Sequence, residues 1–496
     1  MLSRSSVTDK ELQEVTSLLK RAVVLSFARF SNQAIVLLSP VLLVRILSVG
    51  EYGSYREFMV YASLVGPLVS FGIARSLPFL IPKYPEQERT WVTQTVLYVA
   101  ASSCVAIIAI FFAGDLIRAK TSFDFVTALQ LYLIFFTNFD FIELYWLGKK
   151  RTDYVLYYST GRLLARTTVV VAAALLTRDA LSIVYGLVAL EAIRCLLVFW
   201  YSNSRRWFTS RLSRASLTLQ ASYFLPLGSG AVVQTVNSNA GMLFVSTMIG
   251  AEALAFYAIG TFAMKIIDIL RGAIADVIFP DIVEVKSAAP KDALPLWRRA
   301  TVWYCVMLFP VAILFLFYAD VVVTVLFTAK YSAAIPIFSA FAFSLILSCF
   351  DFHLPLRVQN ANRYFLIGNI IKLFANLSLL YPMYLLFGLL GPAISLILSR
   401  LIFVVYLAHR TLYVYEIHIG ELVLWRDVSK VLAAAVLCAP VLIIGKLLVG
   451  QLLLRGILFG GAYLLIYLLL LRLLRVWDAF AMAGALLRSK KRKVLD

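Results

Sequence analysis

The sequence predicts an all-α integral membrane protein of about fourteen transmembrane helices, arranged as two six-helix lobes plus two C-terminal helices. Three observations predict it. Of 496 residues, 61% are hydrophobic and only 15% charged, where a soluble domain carries about 25% charged residues. Apolar windows of the roughly 20 residues needed to cross a bilayer recur along the whole length. The Lys and Arg residues between those windows collect on alternate connections.

The expected spans lie near residues 22–47, 55–82, 91–113, 125–148, 154–177, 180–202, 218–249, 252–280, 298–319, 333–356, 364–387, 389–412, 428–449 and 452–474. Short connections favour antiparallel neighbours. The chain then divides into a cytoplasmic N-terminal segment (1–21), a first lobe (22–202), a cytoplasmic linker (203–217), a second lobe (218–412), two further spans with their connecting loop (413–474) and a basic cytoplasmic tail (475–496). Thr8 and Glu11 fit a capping box, so the N-terminal segment reads as a short interfacial helix or a frayed tail.

The net charge is +19. One set of connections holds Lys149, Lys150, Arg151, Arg205, Arg206 and the tail cluster Lys490 to Lys493, with most of the other cations. The opposite set holds only Arg118, Lys120, Arg178 and Lys330. Such asymmetry places both termini in the cytoplasm. It also explains the excess charge without nucleic acid, and the tail cluster reads as a translocation stop or a contact with anionic lipid. The five cysteines sit inside apolar spans at unrelated spacings, and the three histidines have no ligand partners at helical spacing. No metal, cofactor or disulfide is expected. The absence of a phosphate-binding glycine loop argues against an ATP-driven pump.

The stretch from Arg29 to Arg75 is the most informative. It holds two apolar spans joined by a turn at Val49 to Gly53. An arginine deep in a span costs roughly 2.5–3.5 kcal/mol to insert on the lenient scales. Arg29, Asn32 and Gln33 form one polar stripe, which must face protein or water. The second lobe repeats the pattern with Gln234, Asn237 and Arg271. At a constant offset Gln33 meets Gln234, Glu51 meets Glu252 and Ile73 meets Ile274, and Pro40 falls opposite Gly241. Paired helix breakers at such places point to binding sites in transporters.

Buried charge marks the remaining candidates. Arg29, Arg75 and Arg271 lie at a similar expected depth, roughly 10–14 Å from the cytosolic face. Three cations at one level suit a diphosphate, with Asp276 as the competing structural partner. Asp140 and Glu143 face Arg162 and Arg166 across a hairpin, either as a structural ion-pair cluster or as a carboxylate dyad for proton coupling; structural pairing is the reading adopted. Glu191 with Arg194, and Lys265 with Asp268, read as local pairs or, for Lys265 and Asp268, as gate groups. Asn369, Lys372 and Asn376 on one span, with Gln234 and Asn237 on another, make polar stripes for sugar hydroxyls or for interhelical hydrogen bonds. Arg75 and Asp276 occupy equivalent places in the repeat, so a gate pair between them is expected.

The run Val44-Arg45-Ile46-Leu47 followed by Gly50-Glu51-Tyr52-Gly53-Ser54-Tyr55, Gly66 and Phe71-Gly72-Ile73-Ala74 resembles the start of the Wzx-type polysaccharide-unit flippases. These belong to the multidrug/oligosaccharidyl-lipid/polysaccharide exporter superfamily. Ile249-Gly250-Ala251-Glu252-Ala253-Leu254-Ala255-Phe256-Tyr257 is similar to the family's second-lobe hairpin. The resemblance implies a bacterial inner-membrane transporter, not an enzyme. Its cargo would be an undecaprenyl-diphosphate-linked oligosaccharide for O-antigen, exopolysaccharide or capsule, moved to the periplasmic leaflet by alternating access. It would make the cationic cavity the diphosphate site. Membrane lipids, a polysaccharide polymerase and a chain-length regulator are its implied partners. Relatives often place an acid in the seventh span, where this chain has Asn237 and Asn239. A multidrug extruder of the same fold would want a more acidic pocket, and a membrane glycan polymerase or ligase would want a larger polar external loop.

Reporter fusions test the topology. Fusions after Lys150 and Arg206 are expected to report cytoplasm, and those after Glu51, Glu252 and Lys330 the external side. Reversal at any two sites overturns the map.

Overall fold

The computed structural model describes residues 35–120, 125–208, 212–266, 269, 293–350, 352–359, 361–474 and 476. Helices and short 3-10 turns make up its regular structure, and it describes no strand among these residues. Helix α1 is Ile35–Ile46. It is followed by α2 (Val49–Ser70), a 3-10 turn (Ile73–Ser76) and α3 (Leu77–Lys83). Then come α4 (Glu88–Lys120), α5 (Val126–Thr137), α6 (Ile142–Gly148), α7 (Thr152–Thr177) and α8 (Ala180–Ser204). The second half holds α9 (Arg214–Met248), α10 (Ala251–Gly260), α11 (Ala293–Phe317), α12 (Ala319–Phe327), α13 (Ile335–Ser348), α14 (His353–Val358), α15 (Asn362–Phe387) and α16 (Gly391–Tyr415). The chain ends through α17 (Ile419–Leu422), α18 (Trp425–Leu437), α19 (Ala439–Leu448) and α20 (Leu452–Leu473).

Among the described residues, eight helical segments are long and apolar enough to cross a membrane, and the bent pair Val49–Ser70 with Ile73–Lys83 makes a ninth. The protein is therefore a multi-pass membrane protein. Fewer segments qualify than spans expected, for physical reasons. One qualifying segment, Arg363–Tyr415, joins two expected spans, α15 and α16, across a turn at Gly388. The expected fourth span is split into α5 and α6 at Asn138 to Phe141. The expected first and eighth spans are only partly described. The expected N-terminal interfacial helix and the basic tail lie outside the described residues.

The sequence-based turn at Val49 to Gly53 is corrected. Those residues form the first turns of α2, and Ser48 is its N-cap, its hydroxyl accepting from the Glu51 amide at 3.2 Å; a serine there satisfies an amide that the helix leaves open. The second span is not one rod either. Phe71 and Gly72 both adopt left-handed conformations, with φ of 41° and 70°, and the two parts bend by 53°. Gly241 is no breaker: α9 runs through it without interruption. A Cβ at Gly241 would meet the Tyr257 hydroxyl at 2.6 Å, so the glycine makes room for that ring. On α8, partial burial raises the pKa of Asp179, but hydrogen bonds from the backbone and hydroxyl of Ser182 outweigh it and hold the carboxyl below the usual range. That is the ordinary chemistry of an aspartate N-cap.

One hydrophobic core runs through both halves. It joins Leu43, Tyr52, Phe58 and Tyr132 of the first half to Val245, Leu254, Tyr257 and Phe338 of the second. A second core packs α18, α19 and α20 onto α11 and α13, through Val431, Leu442, Tyr463, Tyr467, Phe309 and Leu345. The last two expected spans thus belong with the second half. Arg455 on α20 pins them there by its ion pair with Asp320 at the start of α12, and its guanidinium lies 5.4 Å over the Tyr318 ring.

Between the halves, α2 runs along α9 and α10 in a continuous seam. At one end, a Cβ on Gly53 would sit 2.1 Å from the Ala251 carbonyl oxygen. Next to it the buried Glu57 carboxylate accepts from the Ser246 hydroxyl at 2.5 Å, and Arg45 donates to the Val325 carbonyl at 2.7 Å. Midway, Ser63 donates to the Asn239 side-chain oxygen at 3.0 Å. At the other end, a Cβ on Gly228 would sit 2.0 Å from the Phe71 carbonyl oxygen. There the Gln220 amide donates to the Ser76 and Thr95 hydroxyls, both at 3.0 Å.

Each glycine therefore sets the closure of its own end. Gly53→Ala is expected to part the seam near Glu57 and Ser246, at a cost of about 1–3 kcal/mol to the closed form, and Gly228→Ala to part it near Ser76 and Gln220. Cysteine pairs at 57/246 and 76/220, in a background free of the native cysteines, read this out. Each substitution should lower cross-linking at its own end only. Equal loss at both ends, or none, refutes the assignment.

Candidate functional site: a cationic, amide-lined cavity

A cavity of about 540 Å³ lies within the second half, in the size range of ordinary small-molecule sites. Helix α9 contributes Gln234, Asn237, Ser238 and Asn239, and α15 contributes Asn369 and Lys372. The sequence places each set on one helix face, because residues three and four apart are neighbours there. Arg400 and Phe403 come from α16, His353 from α14, and Tyr257 and Lys265 from α10 and the residues after it.

The charged groups lie against aromatic rings. The Lys372 ammonium sits 5.7 Å from the Phe403 ring centre and the Lys265 ammonium 6.0 Å from that of Phe262. The His353 ring packs 4.0 Å from that of Phe365. Cation–π contact is one way to hold a charge in an apolar wall. Among the described residues no carboxylate lines the cavity. The Asn237 amide nitrogen is buried and has no acceptor among the described residues.

Four of the expected substrate residues, Gln234, Asn237, Asn369 and Lys372, come together here, along with the expected gate residue Lys265. Asn376 does not line the cavity. It is buried one turn further along α15, where it donates to the Asn237 side-chain oxygen at 3.2 Å and accepts from the Ser395 hydroxyl at 3.0 Å. This amide bridge ties α9, α15 and α16 together under the site. Arg75 is exposed in the 3-10 turn beside the Phe71–Gly72 bend and lies outside the cavity. Arg29, Asn32, Gln33, Asp268, Arg271 and Asp276 lie outside the described residues, so the expected gate pair and diphosphate triad are proposals.

Sequence reasoning passed over Arg56 and Glu57, because it began the second span at about residue 55 and put both at a membrane edge. Arg56 in fact lies two turns inside α2, with a guanidinium nitrogen 3.7 Å from the Met242 sulfur of α9. Arg166 on α7 similarly approaches the Met59 sulfur at 3.4 Å. Neither has a carboxylate partner among the described residues. Their place in apolar spans was the available signal.

The Asp140 cluster is a splint. Arg162 pairs with Asp140 and reaches Glu191 at 3.3 Å. Arg194 binds Glu191 and also donates to the carbonyls of Phe136, Asn138 and Phe139 at 3.0, 3.1 and 3.2 Å. These are the carbonyls freed where α5 ends and α6 has not begun. In lipid a freed carbonyl must find a donor, and a cation at a helix C-terminus also meets the helix dipole favourably. Glu191 is 1% exposed and Arg194 8%. Glu143 and Arg166 do not pair in this structure; Arg166 turns to Met59 instead.

The model of the family described as "Polysaccharide biosynthesis protein" matches residues 42–336. The chain belongs to this family. Its fold is similar to that of the lipid II flippase MurJ in an inward closed conformation, with a TM-score of 0.66 at 14% identity over 90% of this chain and 98% of that one. It is also similar to an inward-facing multidrug resistance MATE transporter of the MOP superfamily, with a TM-score of 0.57 at 12% identity over 78% of this chain and 96% of that one. At such identities the likeness is one of fold. No curated protein matches the chain in sequence.

The splint has a measurable consequence. Arg194→Ala is expected to cost about 3–5 kcal/mol, as removal of one partner from a buried pair does. Asp140→Asn, whose carboxylate is 42% exposed, should cost much less. Unfolding midpoints of the purified variants in lipid nanodiscs check the order. A well-folded Asp140→Asn that loses proton-driven transport would instead establish the carboxylate-dyad reading.

Proposed function

We propose that the protein is a flippase that carries undecaprenyl-diphosphate-linked oligosaccharides from the cytoplasmic to the periplasmic leaflet for surface polysaccharide assembly. The observation that carries this reading is the cavity: amides for hydroxyls, cations for anionic groups and aromatic walls, inside a transporter fold, in a polysaccharide biosynthesis family. A cation extruder of the same fold is disfavoured by the same lining, which includes no carboxylate among the described residues. In this reading both termini are cytoplasmic and the membrane is the bacterial inner membrane.

The seam supplies the alternating gate. Its Gly53 end closes the external side and its Gly228 end the cytoplasmic side. Arg56, next to the seam, with Arg29 and Arg271 meets the diphosphate, and a guanidinium fork suits paired phosphate oxygens. Arg75 pairs with Asp276 when the cytoplasmic side is shut. A ligand that draws arginine away from its partner binds the open form better, as it must to shift an equilibrium.

Reconstitution tests the reading. Liposomes containing the protein should translocate a fluorescent undecaprenyl-diphosphate-linked disaccharide, and Arg56→Ala should slow it at least tenfold while the unfolding midpoint stays within a few degrees. Translocation of cationic dyes in place of the lipid-linked sugar would support the extruder and overturn the flippase.

A further inference from the structure

We propose that the cleft between α7 and α8 holds one anionic phospholipid, its acyl chain lying past Gly161 and its headgroup at Arg151 and Arg205. The leaflet is the one these arginines face, which is the cytoplasmic leaflet in the topology expected from the sequence.

The two helices converge at one end and part at the other. A Cβ at Gly186 on α8 would lie 3.1 Å from the Val169 side chain of α7, whereas a Cβ at Gly161 would meet nothing within 4 Å. Between the parted segments lies a cleft of about 380 Å³. Gly161 sits roughly 13 Å along α7 from its start at Thr152, within the hydrocarbon of one leaflet. Ala165, Leu190, Ile193 and Leu197 line the cleft, and Ile193 and Leu197 are exposed over more than half of their surface. Arg162, Glu191 and Arg194 line it too, but they are paired with one another and so offer it no spare charge. An acyl chain laid over them keeps water from these pairs, whose attraction is stronger in dry surroundings. One turn nearer the arginines, the buried Tyr158 hydroxyl has no acceptor among the described residues, at the level where the ester oxygens of a lipid lie.

The rim marks the lipid as anionic. Arg151 at the start of α7 lies 5.6 Å from the Tyr154 ring centre, and Arg205 at the end of α8 lies 5.5 Å from that of Tyr201. Both are exposed, as are Lys150 and Arg206 beside them. Asp153 is the one acid among residues 150–153 and 203–206. Trp146 joins the two helices at this level, its ring 5.5, 5.6 and 6.4 Å from those of Tyr154, Tyr158 and Tyr201. Such aromatic groups settle at the membrane interface, and basic clusters just beyond it attract anionic headgroups. A zwitterionic headgroup gains far less there.

Photolabelling of the full chain tests this. Phosphatidylcholine nanodiscs receive a trace of phosphatidylglycerol or of phosphatidylcholine, each with the same diazirine on its acyl chain, and mass spectrometry locates the labelled residues. The exposed Leu447 and Leu448 on α19 serve as an internal reference. Phosphatidylglycerol is expected to label Gly161, Ala165 and Leu197 at least fivefold more than phosphatidylcholine does, with a ratio near one at the reference. Gly161→Phe, which fills open space, should lower labelling at Ala165 and Leu197 at least fivefold and leave the reference unchanged. Arg151→Gln with Arg205→Gln should bring the ratio in the cleft to near one while the chain still enters. Equal labelling by both lipids in the unmodified protein overturns the inference, for the cleft is then ordinary lipid-facing surface. An unlabelled cleft overturns it as well, as when a second copy of the chain covers this face. So does a ratio that survives the paired glutamine substitutions, or labelling that Gly161→Phe does not reduce.

Discussion

Backbone meets backbone at two points between the halves of this protein, and little else in the structure could be arranged as it is without those contacts. At Gly53 and Gly228 any side chain would collide with a carbonyl oxygen of the facing element. The lack of one lets α2 lie directly on α9 and α10, so that a single core joins residues from both halves. The polar pairs along this seam follow from the same closeness. Glu57 reaches Ser246, and Gln220 reaches Ser76 and Thr95, only because the helices are near enough for short side chains to bridge them. Such a seam is held by packing and hydrogen bonds, the forces available where lipid offers no hydrophobic drive between helices.

A second constraint is the intolerance of hydrocarbon for an open peptide group. The span around Asn138 breaks, and the break persists because Arg194 supplies donors to the freed carbonyls of Phe136, Asn138 and Phe139. Glu191 and Asp140 then neutralise the cations brought in for that purpose. Arg162 and Arg194 have carboxylates at hand, whereas Arg56 and Arg166 lie against methionine sulfurs.

Much of this was legible in the sequence. Hydropathy and the Lys/Arg alternation mark where helices run, and the stripes Gln234/Asn237 and Asn369/Lys372 do share one cavity. What was not legible depended on position in three dimensions. Gly53 read as a turn residue because glycine usually marks one, but here Ser48 starts the helix and Gly53 serves contact with Ala251. Gly241 read as a breaker, and its role is to admit Tyr257. The Phe71–Gly72 bend had no such signal beyond one glycine, since Phe71 adopts a left-handed conformation that its own chemistry does not favour. Asn376 is the same residue type on the same helix face as Asn369, yet two turns of helix separate a cavity wall from a buried bridge.

The attachment of α18 to α20 carries a mechanical corollary. These helices are cemented to α11 and α13 and tethered by Arg455 to Asp320. Their outer faces, with Leu447, Leu448 and Leu473 strongly exposed, are bare apolar surface. In the alternating-access reading proposed above, a rocking of one half against the other would carry these three helices with the second half, and a lipid or protein resting on them would move with it like a vane on a turning shaft.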